Sequence, residues 1–407
     1  MAREKPKKNP AGQIFSVRGF KAAGIGAGIK RNGAKDLALI LSDSPATVAG
    51  VFTKSAVRAA PVLLDIERIK RGTSRGVVVN SGNANACTGR RGLKDAEAIV
   101  TFAEKALGLK NGELLVASTG VIGVPLPAEK IRSSLPALFQ NLKPSGWTDA
   151  AEAIRTTDAF PKIAFAKKRI PGERTISLLG IAKGAGMICP SMATMLAFFA
   201  TDAPLTAASL KKALVTSVEK SFNRITVDND TSTNDTVLIF ANGLAGGSPL
   251  KPGGSGYAVF SKLLDELSLR LSHMIVKDGE GATRFIEVEV FGAKSRKDAE
   301  LAARKIAASF LVKTAFFGAD PNWGRIMAAL GSSGADFRQD RVDIYFDGIK
   351  VVKDGMDAGK EKQAARAIKK KEVRLRVDLK RGNSSSLKLW TSDLSYDYVR
   401  INSSYRS

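Results

Sequence analysis

The chain has few side chains that could serve as acid, base or nucleophile in the usual combinations. Its single histidine, His273, lies in a helical pattern beside Leu271 and Met274. Any Ser-His-Asp or Cys-His arrangement would depend on that residue, and a lone histidine on a mostly apolar helix is more often a packed or surface residue. The two cysteines, Cys87 and Cys189, lie far apart without paired spacing, so the sequence predicts neither a disulfide framework nor a metal site.

Thr194 offers a nucleophile that needs no histidine. It follows Ala193 inside GAGMICPSMATMLAFFATDAP (184–204), a run too interrupted to span a membrane and too apolar for a surface loop. If the chain were cut before Thr194, the new α-amine, with a pKa of about 7.7 to 8.0, could act as base for the adjacent hydroxyl. Spacing alone favours the simpler interpretation that Thr194 packs at the start of a strand, because Ser and Thr are common in apolar runs.

The formal net charge of +24 raises the question of nucleic-acid binding. The basic residues are scattered along the chain, with short clusters such as 369–371 and no interleaved aromatic residues. The composition therefore predicts solvated basic faces that attract anionic substrates, and no nucleic-acid partner.

A glycine-rich stretch, GIGAG from Gly24, has the spacing G-x-G-x-G. No strong strand is predicted before it, so it is a weak dinucleotide-binding fingerprint. The phosphate-binding pattern G-x-x-x-x-G-K-[ST] does not occur in the sequence.

Short apolar runs predict the strands that must position these residues. In the first half the runs are LALIL from Leu37, VAGVF from Val48, GVVVN from Gly76, ELLVAS from Glu113 and ISLLG from Ile176. Helical patterns are DAEAIVTFAEKAL from Asp95, TAASLKKALVTSVEKSF behind a cap at Thr206, YAVFSKLLDELSLRLSHMIV, and KDAELAARKIAASFLV. The last third alternates as FIEVEVFG, RVDIYFDG, VRLRVDL and SLKLWTSDLS. Without a regular βαβ rhythm, these elements predict a mixed α/β (α+β) fold.

The sequence also predicts a cytoplasmic protein without a membrane segment. The basic start, MAREKPKKNPAGQ, is not followed by an apolar signal region, and no uninterrupted apolar stretch reaches spanning length. The low cysteine content fits a reducing compartment.

Eight segments in one order resemble a known family. KGAGMICPSMATMLAFFATDA closely resembles the self-cleavage segment of the ornithine acetyltransferase family, the bifunctional glutamate N-acetyltransferases of arginine biosynthesis. Seven further motifs resemble the same family: NSGNANACTG from Asn80, ASTGVIGVPLP from Ala117, TTDAFPK from Thr156, ITVDNDTSTNDT from Ile225, DGEGATRF from Asp278, DPNWGRI from Asp320 and YVRINSSYRS from Tyr398.

The resemblance implies self-cleavage between Ala193 and Thr194, giving an α chain (1–193) and a β chain (194–407). The two chains would share one catalytic core of the DmpA-like, N-terminal-threonine type, with a smaller C-terminal lobe at about 285–395, and would assemble as an α2β2 heterotetramer. Acetyl would pass from N2-acetylornithine through acetyl-Thr194 to glutamate by ping-pong kinetics, releasing ornithine and N-acetylglutamate. No bound cofactor is implied, and acetyl-CoA is a possible co-substrate.

The same carry-over implies roles for named residues. Thr119 and Gly120 resemble the oxyanion hole, with an ordinary strand-to-helix turn as the alternative. The family's substrate-contacting positions match Thr157, Lys183, Thr194, Glu280, Asn402 and Ser407. Lys183 suits an α-carboxylate and Glu280 a basic group, although each alone would be interpreted as a solvated surface charge. The resemblance gives Asp320, Asn322 and Asp235 no catalytic role.

Three positions depart from many family members. Ser191 replaces Asn, Asn229 replaces Gly, and Ser407 replaces a terminal Thr. Asn tolerates positive φ better than most residues, so the change at 229 is mild. Three alternatives stay open: a monofunctional ornithine acetyltransferase, an N-terminal-nucleophile amidase or aminopeptidase that passes the acyl group to water, and a basic binding protein without catalysis.

Overall fold

Two β-sheets form the framework of the described chain. The computed structural model describes residues 15–170, 174–189, 195–382 and 385–404. The first sheet contains β1 (Phe20–Ile25), β2 (Leu37–Phe52), β3 (Thr73–Asn83), β4 (Leu114–Val121), β5 (Lys162–Arg169), β6 (Thr175–Lys183), β7 (Leu196–Thr201) and β9 (Thr236–Ala241). The second contains β8 (Ile225–Thr226), β10 (Phe285–Ala293), β11 (Asp343–Phe346), β12 (Ile349–Lys353), β13 (Met356–Asp357), β14 (Glu372–Asp378) and β15 (Ser385–Ser392). The predicted mixed α/β class is confirmed.

The helices cover both faces of the first sheet and one face of the second. They are α1 (Ala60–Arg68), α2 (Gly89–Ala106), α3 (Ala128–Gln140), α4 (Trp147–Ala153), α5 (Ala207–Lys220), α6 (Ser255–Lys277), α7 (Arg296–Ala308), α8 (Phe310–Phe317), α9 (Trp323–Gly331), α10 (Glu361–Ala367) and α11 (Tyr396–Ser404). Among the described residues, none of these helices is long and apolar enough to cross a membrane.

The first sheet has the order β4-β3-β2-β9-β7-β6-β5, with β1 paired to β2. Strand β7 is buried along its whole length, since Phe199 faces the core under α5 and α6 while Phe198 faces the core that contains Trp147 of α4. Burial on both faces explains why LAFFAT is a continuous apolar run. Strands β6 and β7 pair antiparallel, so the predicted cleavage at 193/194 would leave both chains in one sheet.

Two sequence predictions about the first sheet are wrong. LALIL and VAGVF are one strand, β2, which pairs with β1 over 37–42 and with β9 over 47–52. The polar stretch between them falls where β2 exchanges one partner for the other, and the register against β3 shifts there. A strand, β1, also leads into GIGAG, but the next element after this glycine-rich stretch is β2 rather than a helix. Because a dinucleotide-binding fingerprint must open a helix, GIGAG is not one.

The helix predictions hold with one change. The side chain of Thr206 caps α5 by accepting a hydrogen bond from the Ser209 N–H at 3.3 Å. KDAELAARKIAASFLV forms two helices, α7 and α8, because Ser309 leaves the helical conformation with a ψ of 116° and caps α8.

The second sheet has the order β13-β12-β11-β14-β10-β15-β8. One face packs on α7, α8 and α9, and the other carries Glu287, Glu289 and Arg376, as the period-two pattern of FIEVEVFG predicts. The sheet joins the rest of the molecule where Trp390 of β15 pairs with Ile225 of β8. After β15 the chain forms α11, whose Tyr398 and Asn402 contact Asp228 and Glu280.

Candidate active site

Six of the predicted site residues line one pocket of about 740 Å³, including its open mouth. They come from β4, the turn before β5, the end of β6, the turn after α6, and α11: Thr119, Gly120, Thr157, Lys183, Glu280 and Asn402. The predicted nucleophile Thr194, its neighbour Ala193 and the terminal Ser407 lie outside the described residues. The pocket therefore collects residues that are up to 283 positions apart, from Thr119 to Asn402.

Thr119 and Gly120 lie near the carboxyl end of β4, inside the strand rather than in a strand-to-helix turn. Gly120 has a φ of +135°, and a Cβ atom there would lie 2.3 Å from the carbonyl carbon of Gly82 on β3. A side chain at 120 is therefore excluded by backbone. This close approach brings the backbone of Gly120 to the edge of the pocket beside the Thr119 hydroxyl.

Lys183 is buried at the end of β6, with 3% of the residue exposed. Its Nζ donates to Thr119 Oγ1 at 3.3 Å. Burial lowers the pKa of Lys183 below its ordinary value, although the nearby Asp158 and Glu280 oppose the shift. The structure thus does not support the alternative of a solvated surface charge at this position.

A buried ion network lies behind Lys183. Lys162 Nζ donates to Asp158 Oδ1 at 2.7 Å and to Asp278 Oδ2 at 2.6 Å, and the Lys162 side chain is fully buried. Burial would raise the pKa of Asp158, but Lys162 and Lys183 outweigh it and hold that pKa well below the usual range. The Gly184 N–H also donates to Asp158 at 2.7 Å, which fixes the end of β6. Asp158, Lys162 and Asp278 lie in the motifs TTDAFPK and DGEGATRF, but their residue types and spacing alone give no signal of this network.

Glu280 faces the pocket from the turn after α6 and is 8% exposed. Its Oε2 accepts a hydrogen bond from Asn402 Nδ2 at 2.7 Å, which ties α11 to the pocket. Gly186 makes room for the carboxylate, because a Cβ atom there would lie 2.4 Å from the same oxygen. Like Lys183, Glu280 is not the surface charge that its residue type alone suggests.

Asp228 holds the chain ahead of the predicted cleavage segment. Its carboxylate accepts the N–H groups of Met187 at 2.6 Å and Ile188 at 2.8 Å, and the Tyr398 hydroxyl at 3.2 Å. Met187 has a φ of +57°, a conformation that its side chain disfavours. The following Asn229 has a φ of +71°, as the tolerance of Asn for positive φ predicts.

Asp235 holds the chain just after that segment. It is fully buried, and its Oδ1 accepts the N–H of Met195 at 2.9 Å. Burial raises the pKa of Asp235 well above its ordinary value. Its neighbour Asn234 donates to the carbonyls of Ala84 at 2.7 Å and Ser118 at 2.8 Å. Within the motif TSTNDT, Asn234 therefore has a structural role, because it ties two backbone carbonyls together. Asp235 instead contacts Met195, the residue that follows Thr194.

The remaining candidates for acid, base or nucleophile lie elsewhere or are inert. His273 packs against Phe285 and Trp390 with ring centroids 5.1 and 4.6 Å away, and burial lowers its pKa to about 4. Cys189 is half-buried, and burial raises the pKa of its thiol, which disfavours a thiolate. Within the described ranges, no group of three or more His, Cys, Asp or Glu side chains is arranged to hold a metal ion.

Within this α/β fold, the pocket brings the buried Lys183 ammonium and Glu280 carboxylate together with the Thr119 hydroxyl and the strand-end Gly120. The chain belongs to the ArgJ family, whose model matches residues 21–407. Family membership confirms the resemblance that the eight segments indicated.

Named relatives agree with this assignment, and similar solved structures are also known. The chain is 52% identical over 395 residues, 97% of this chain and 100% of the relative, to the arginine biosynthesis bifunctional protein ArgJ of Geobacter sulfurreducens. It is 49% identical over 400 residues, 98% and 99% of the two chains, to the protein of the same name from Symbiobacterium thermophilum. A crystal structure of arginine biosynthesis bifunctional protein argJ from Bacillus halodurans is 44% identical, covering 50% of this chain and 96% of that chain with a TM-score of 0.48. An ornithine acetyltransferase from Mycobacterium tuberculosis, complexed with ornithine, is 36% identical and covers 44% and 94% with a TM-score of 0.39.

Proposed function

We propose that the protein is an acetyltransferase of arginine biosynthesis that cleaves itself before Thr194 and moves acetyl from N2-acetylornithine to glutamate. Family membership over residues 21–407 supports the activity. The observation that carries the proposal is the pocket itself, in which Lys183 and Glu280 are buried together beside Thr119 and Gly120. Lys183 and Glu280 can bind the two charged groups of N-acetylornithine, and Thr119 and Gly120 can bind the oxygen of its acetyl group.

Substrate orientation follows from charge. The α-carboxylate of N-acetylornithine binds the Lys183 ammonium, and its side-chain ammonium binds the Glu280 carboxylate that Asn402 orients. Glutamate offers the same α-carboxylate to Lys183. Each substrate then presents its α-nitrogen at the same place in the pocket, as ping-pong transfer requires.

Thr119 and Gly120 suit the oxyanion of acyl transfer. Because Thr119 Oγ1 accepts a hydrogen bond from Lys183, its own proton is available to donate to an incoming oxygen. The Gly120 N–H supplies a backbone donor at the same edge of the pocket. Such preorganised donors stabilise a tetrahedral intermediate more than the ground-state carbonyl.

The reaction proceeds in two balanced halves. The Thr194 hydroxyl attacks the acetyl carbonyl, its proton passes to the Thr194 α-amine, and the C–N bond to ornithine breaks as that proton moves to the leaving nitrogen. The α-amine of glutamate then attacks acetyl-Thr194, and N-acetylglutamate leaves with Thr194 regenerated. During maturation the same hydroxyl attacks the Ala193 carbonyl, the Ala193–Thr194 C–N bond breaks to free the Thr194 amine, and water hydrolyses the resulting ester to release the Ala193 carboxylate and the Thr194 hydroxyl. Asp228 and Asp235 support this step because they hold the chain on each side of residues 190–194.

We also propose an α2β2 heterotetramer and a cytoplasmic location, as the resemblance described above implies. Size-exclusion chromatography with light scattering measures the assembly, and a mass of one αβ pair would contradict it.

The test combines processing and transfer. Intact mass and N-terminal sequencing of the wild type should show two fragments, one beginning at Thr194, while Thr194→Ala stays as one chain. Thr194→Ser is the matched control, because it keeps a hydroxyl and should still be cut. With the mature protein, labelled acetyl should move from N-acetylornithine to glutamate without free acetate. An uncut wild type would overturn the mechanism, and release of acetate without transfer would identify an amidase instead.

A further inference from the structure

Asn229 makes two side-chain contacts that its backbone conformation does not require. Its φ of +71° is one that both Asn and Gly adopt readily. Its Nδ2 donates to the carbonyl of Ala308 at 2.7 Å, and its Oδ1 lies 3.0 Å from Thr226 Oγ1. A glycine at this position could take the same φ but could make neither contact, so the side chain does more than allow a turn.

The orientation of the Asn229 amide is set by its partners. A backbone carbonyl can only accept a hydrogen bond, so the amide NH2 group faces Ala308 and the amide oxygen faces the Thr226 hydroxyl. Ala308 is the last residue of α7, and the last carbonyls of a helix have no partner within that helix. Asn229 therefore supplies a donor where the end of α7 needs one, from a residue 79 positions away.

The end of α7 is itself held firmly in the structure. The Thr391 hydroxyl of β15 donates to the carbonyl of Ala307 at 3.2 Å, and the buried Lys313 of α8 donates to Thr391 Oγ1 at 2.8 Å. Thr391 also pairs with Thr226 of β8, where the second sheet meets the rest of the molecule. The carbonyl that Asn229 contacts thus belongs to a fixed part of the second lobe.

The loop around Asn229 holds the chain ahead of the predicted cut. The carbonyl of Ile188 accepts the Val227 N–H at 2.8 Å and the Thr226 hydroxyl at 3.0 Å. The carboxylate of Asp228 accepts the N–H of Ile188 and the N–H of the preceding residue. This loop therefore holds Ile188 at both its N–H and its carbonyl, five positions before Ala193.

The two sides of the predicted cut are held by different parts of the structure. Before the cut, Ile188 depends on the loop 226–229 and, through Asn229, on the end of α7. After the cut, Met195 depends on Asp235 at the start of β7. A change at Asn229 therefore acts first on the chain before the cut.

We propose that Asn229 is a positioning residue for self-cleavage, because it ties the chain before the cut to the end of α7. The inference rests on the proposed function. Self-cleavage requires the Ala193 carbonyl to lie at the Thr194 hydroxyl, and that carbonyl belongs to the chain before the cut. By fixing this chain, Asn229 narrows the range of positions that the carbonyl can occupy. Acetyl transfer by the mature protein uses Thr194, on the other side of the cut, and depends on Asn229 much less.

The test measures the rate at which freshly made precursor is cut, by gel analysis. Asn229→Gly keeps the positive φ and removes both side-chain contacts, so we expect self-cleavage to slow by about tenfold. Asn229→Asp keeps an acceptor for Thr226 and removes the donor to Ala308, so it should slow self-cleavage at least as much. A wild-type rate for Asn229→Asp would show that the contact with Ala308 does not position the chain, and would contradict the inference.

Asn242→Ala is the matched control. Asn242 Nδ2 likewise donates to a distant backbone carbonyl, that of Arg18 at 2.8 Å, and Asn242 does not line the active pocket. This variant should be cut at the wild-type rate. Slowing of the same size in Asn242→Ala and Asn229→Gly would mean that any lost amide contact has this effect, and the inference would fail.

Two further measurements separate positioning from a loss of stability. The melting temperature of uncut precursor is compared with and without Asn229→Gly in the Thr194→Ala background, and slowing in proportion to a lower melting temperature would show a merely structural role. Once cut, the Asn229→Gly protein should transfer acetyl with a kcat within about twofold of the wild type. A tenfold loss in this transfer would contradict a role confined to cleavage. A wild type that is cut, beside an Asn229→Gly variant that is cut equally fast, would overturn this inference alone, whereas an uncut wild type would overturn the proposed function with it.

Discussion

Lysine and carboxylate side chains pair in both halves of the molecule, but in opposite surroundings. Behind the active pocket, Lys162 is fully buried between Asp158 and Asp278. On the open face of the second sheet, Lys388 pairs with Glu287 at 3.2 Å while 40% of its side chain is exposed. Water can replace a lost partner at the second site and not at the first. We therefore expect the buried Lys162 pairs to contribute strongly to the stability of the site, and the exposed Lys388 pair to contribute little to the stability of the second sheet.

The largest expected effect is at Lys162. Lys162→Met would leave the buried Asp278 without its cation and Asp158 with Lys183 alone, so we expect a loss of about 3–5 kcal/mol in the free energy of unfolding, measured by urea titration. The double variant Lys162→Met/Asp278→Asn should recover part of this loss, because one unpaired charge is removed with its partner. A loss below about 1 kcal/mol for Lys162→Met would show that the network is not what holds this region.

Asp235 tests whether a buried carboxyl group positions the nucleophile. Asp235→Ala removes the acceptor for the Met195 N–H, and we expect self-cleavage to slow by about 10- to 100-fold, measured by gel analysis of freshly made precursor. Because burial raises the pKa of Asp235, a neutral amide should substitute for it, so Asp235→Asn should mature at close to the wild-type rate.

A merely structural role would slow both Asp235 variants together in proportion to their loss of melting temperature. Equal slowing of Asn and Ala variants with unchanged melting temperatures would instead contradict the hydrogen-bond role and indicate a need for the charge.

Lys183 should give the reaction an alkaline limit. Binding of a substrate carboxylate requires the protonated amine, and burial lowers the Lys183 pKa below the ordinary 10.5. The KM for N-acetylornithine should therefore begin to rise at a lower pH than it would if the carboxylate-binding lysine were exposed. Lys183→Arg stays protonated throughout, so its KM should be higher at neutral pH but free of this rise.

The acid limb of the Lys183→Arg profile should remain, since it reports deprotonation of the Thr194 α-amine, the base of the proposed mechanism. An alkaline limb that Lys183→Arg leaves unchanged would assign that titration to another group.

The smallest expected effect is on the second sheet. Lys388→Ala should change the free energy of unfolding by less than about 1 kcal/mol and leave maturation and transfer unchanged, because the exposed pair is solvated and screened by salt. Urea titration beside Lys162→Met gives the comparison directly. A loss comparable to that of Lys162→Met would remove the distinction between the two regions.

Local pattern accounts for much of the fold. Alternation in FIEVEVFG reports a strand buried on one face, and the continuous apolar run LAFFAT reports a strand buried on both faces. Thr206 marks the start of a helix because its side chain caps the first turn. The failures have local causes too. LALIL and VAGVF look like two strands because the polar middle of β2 lies where its partner strand changes, and hydrophobic periodicity does not reveal that change. Strand β1 has no clear signal because its short apolar pattern ends in a glycine-rich stretch.

The candidate site was predicted from motifs rather than from periodicity. Lys183 and Glu280 have no signal of their own, since an isolated Lys or Glu is ordinarily a surface residue. Their burial, and the pairing of Lys162 with Asp278 across 116 positions, arise when β5, β6 and the turn after α6 pack together. The contact of Asp235 with Met195 crosses 40 positions, so no local pattern predicts it.

The sequence by itself determined the mixed α/β class, the family, and the Ala193-Thr194 pair as the candidate nucleophile, because these depend on residue types at short spacings. The tertiary structure decided that Lys183 and Glu280 face one pocket and that Asp158, Lys162 and Asp278 form its buried support. Those features depend on the distance between side chains from distant strands and on their removal from water, and neither quantity is written in local sequence.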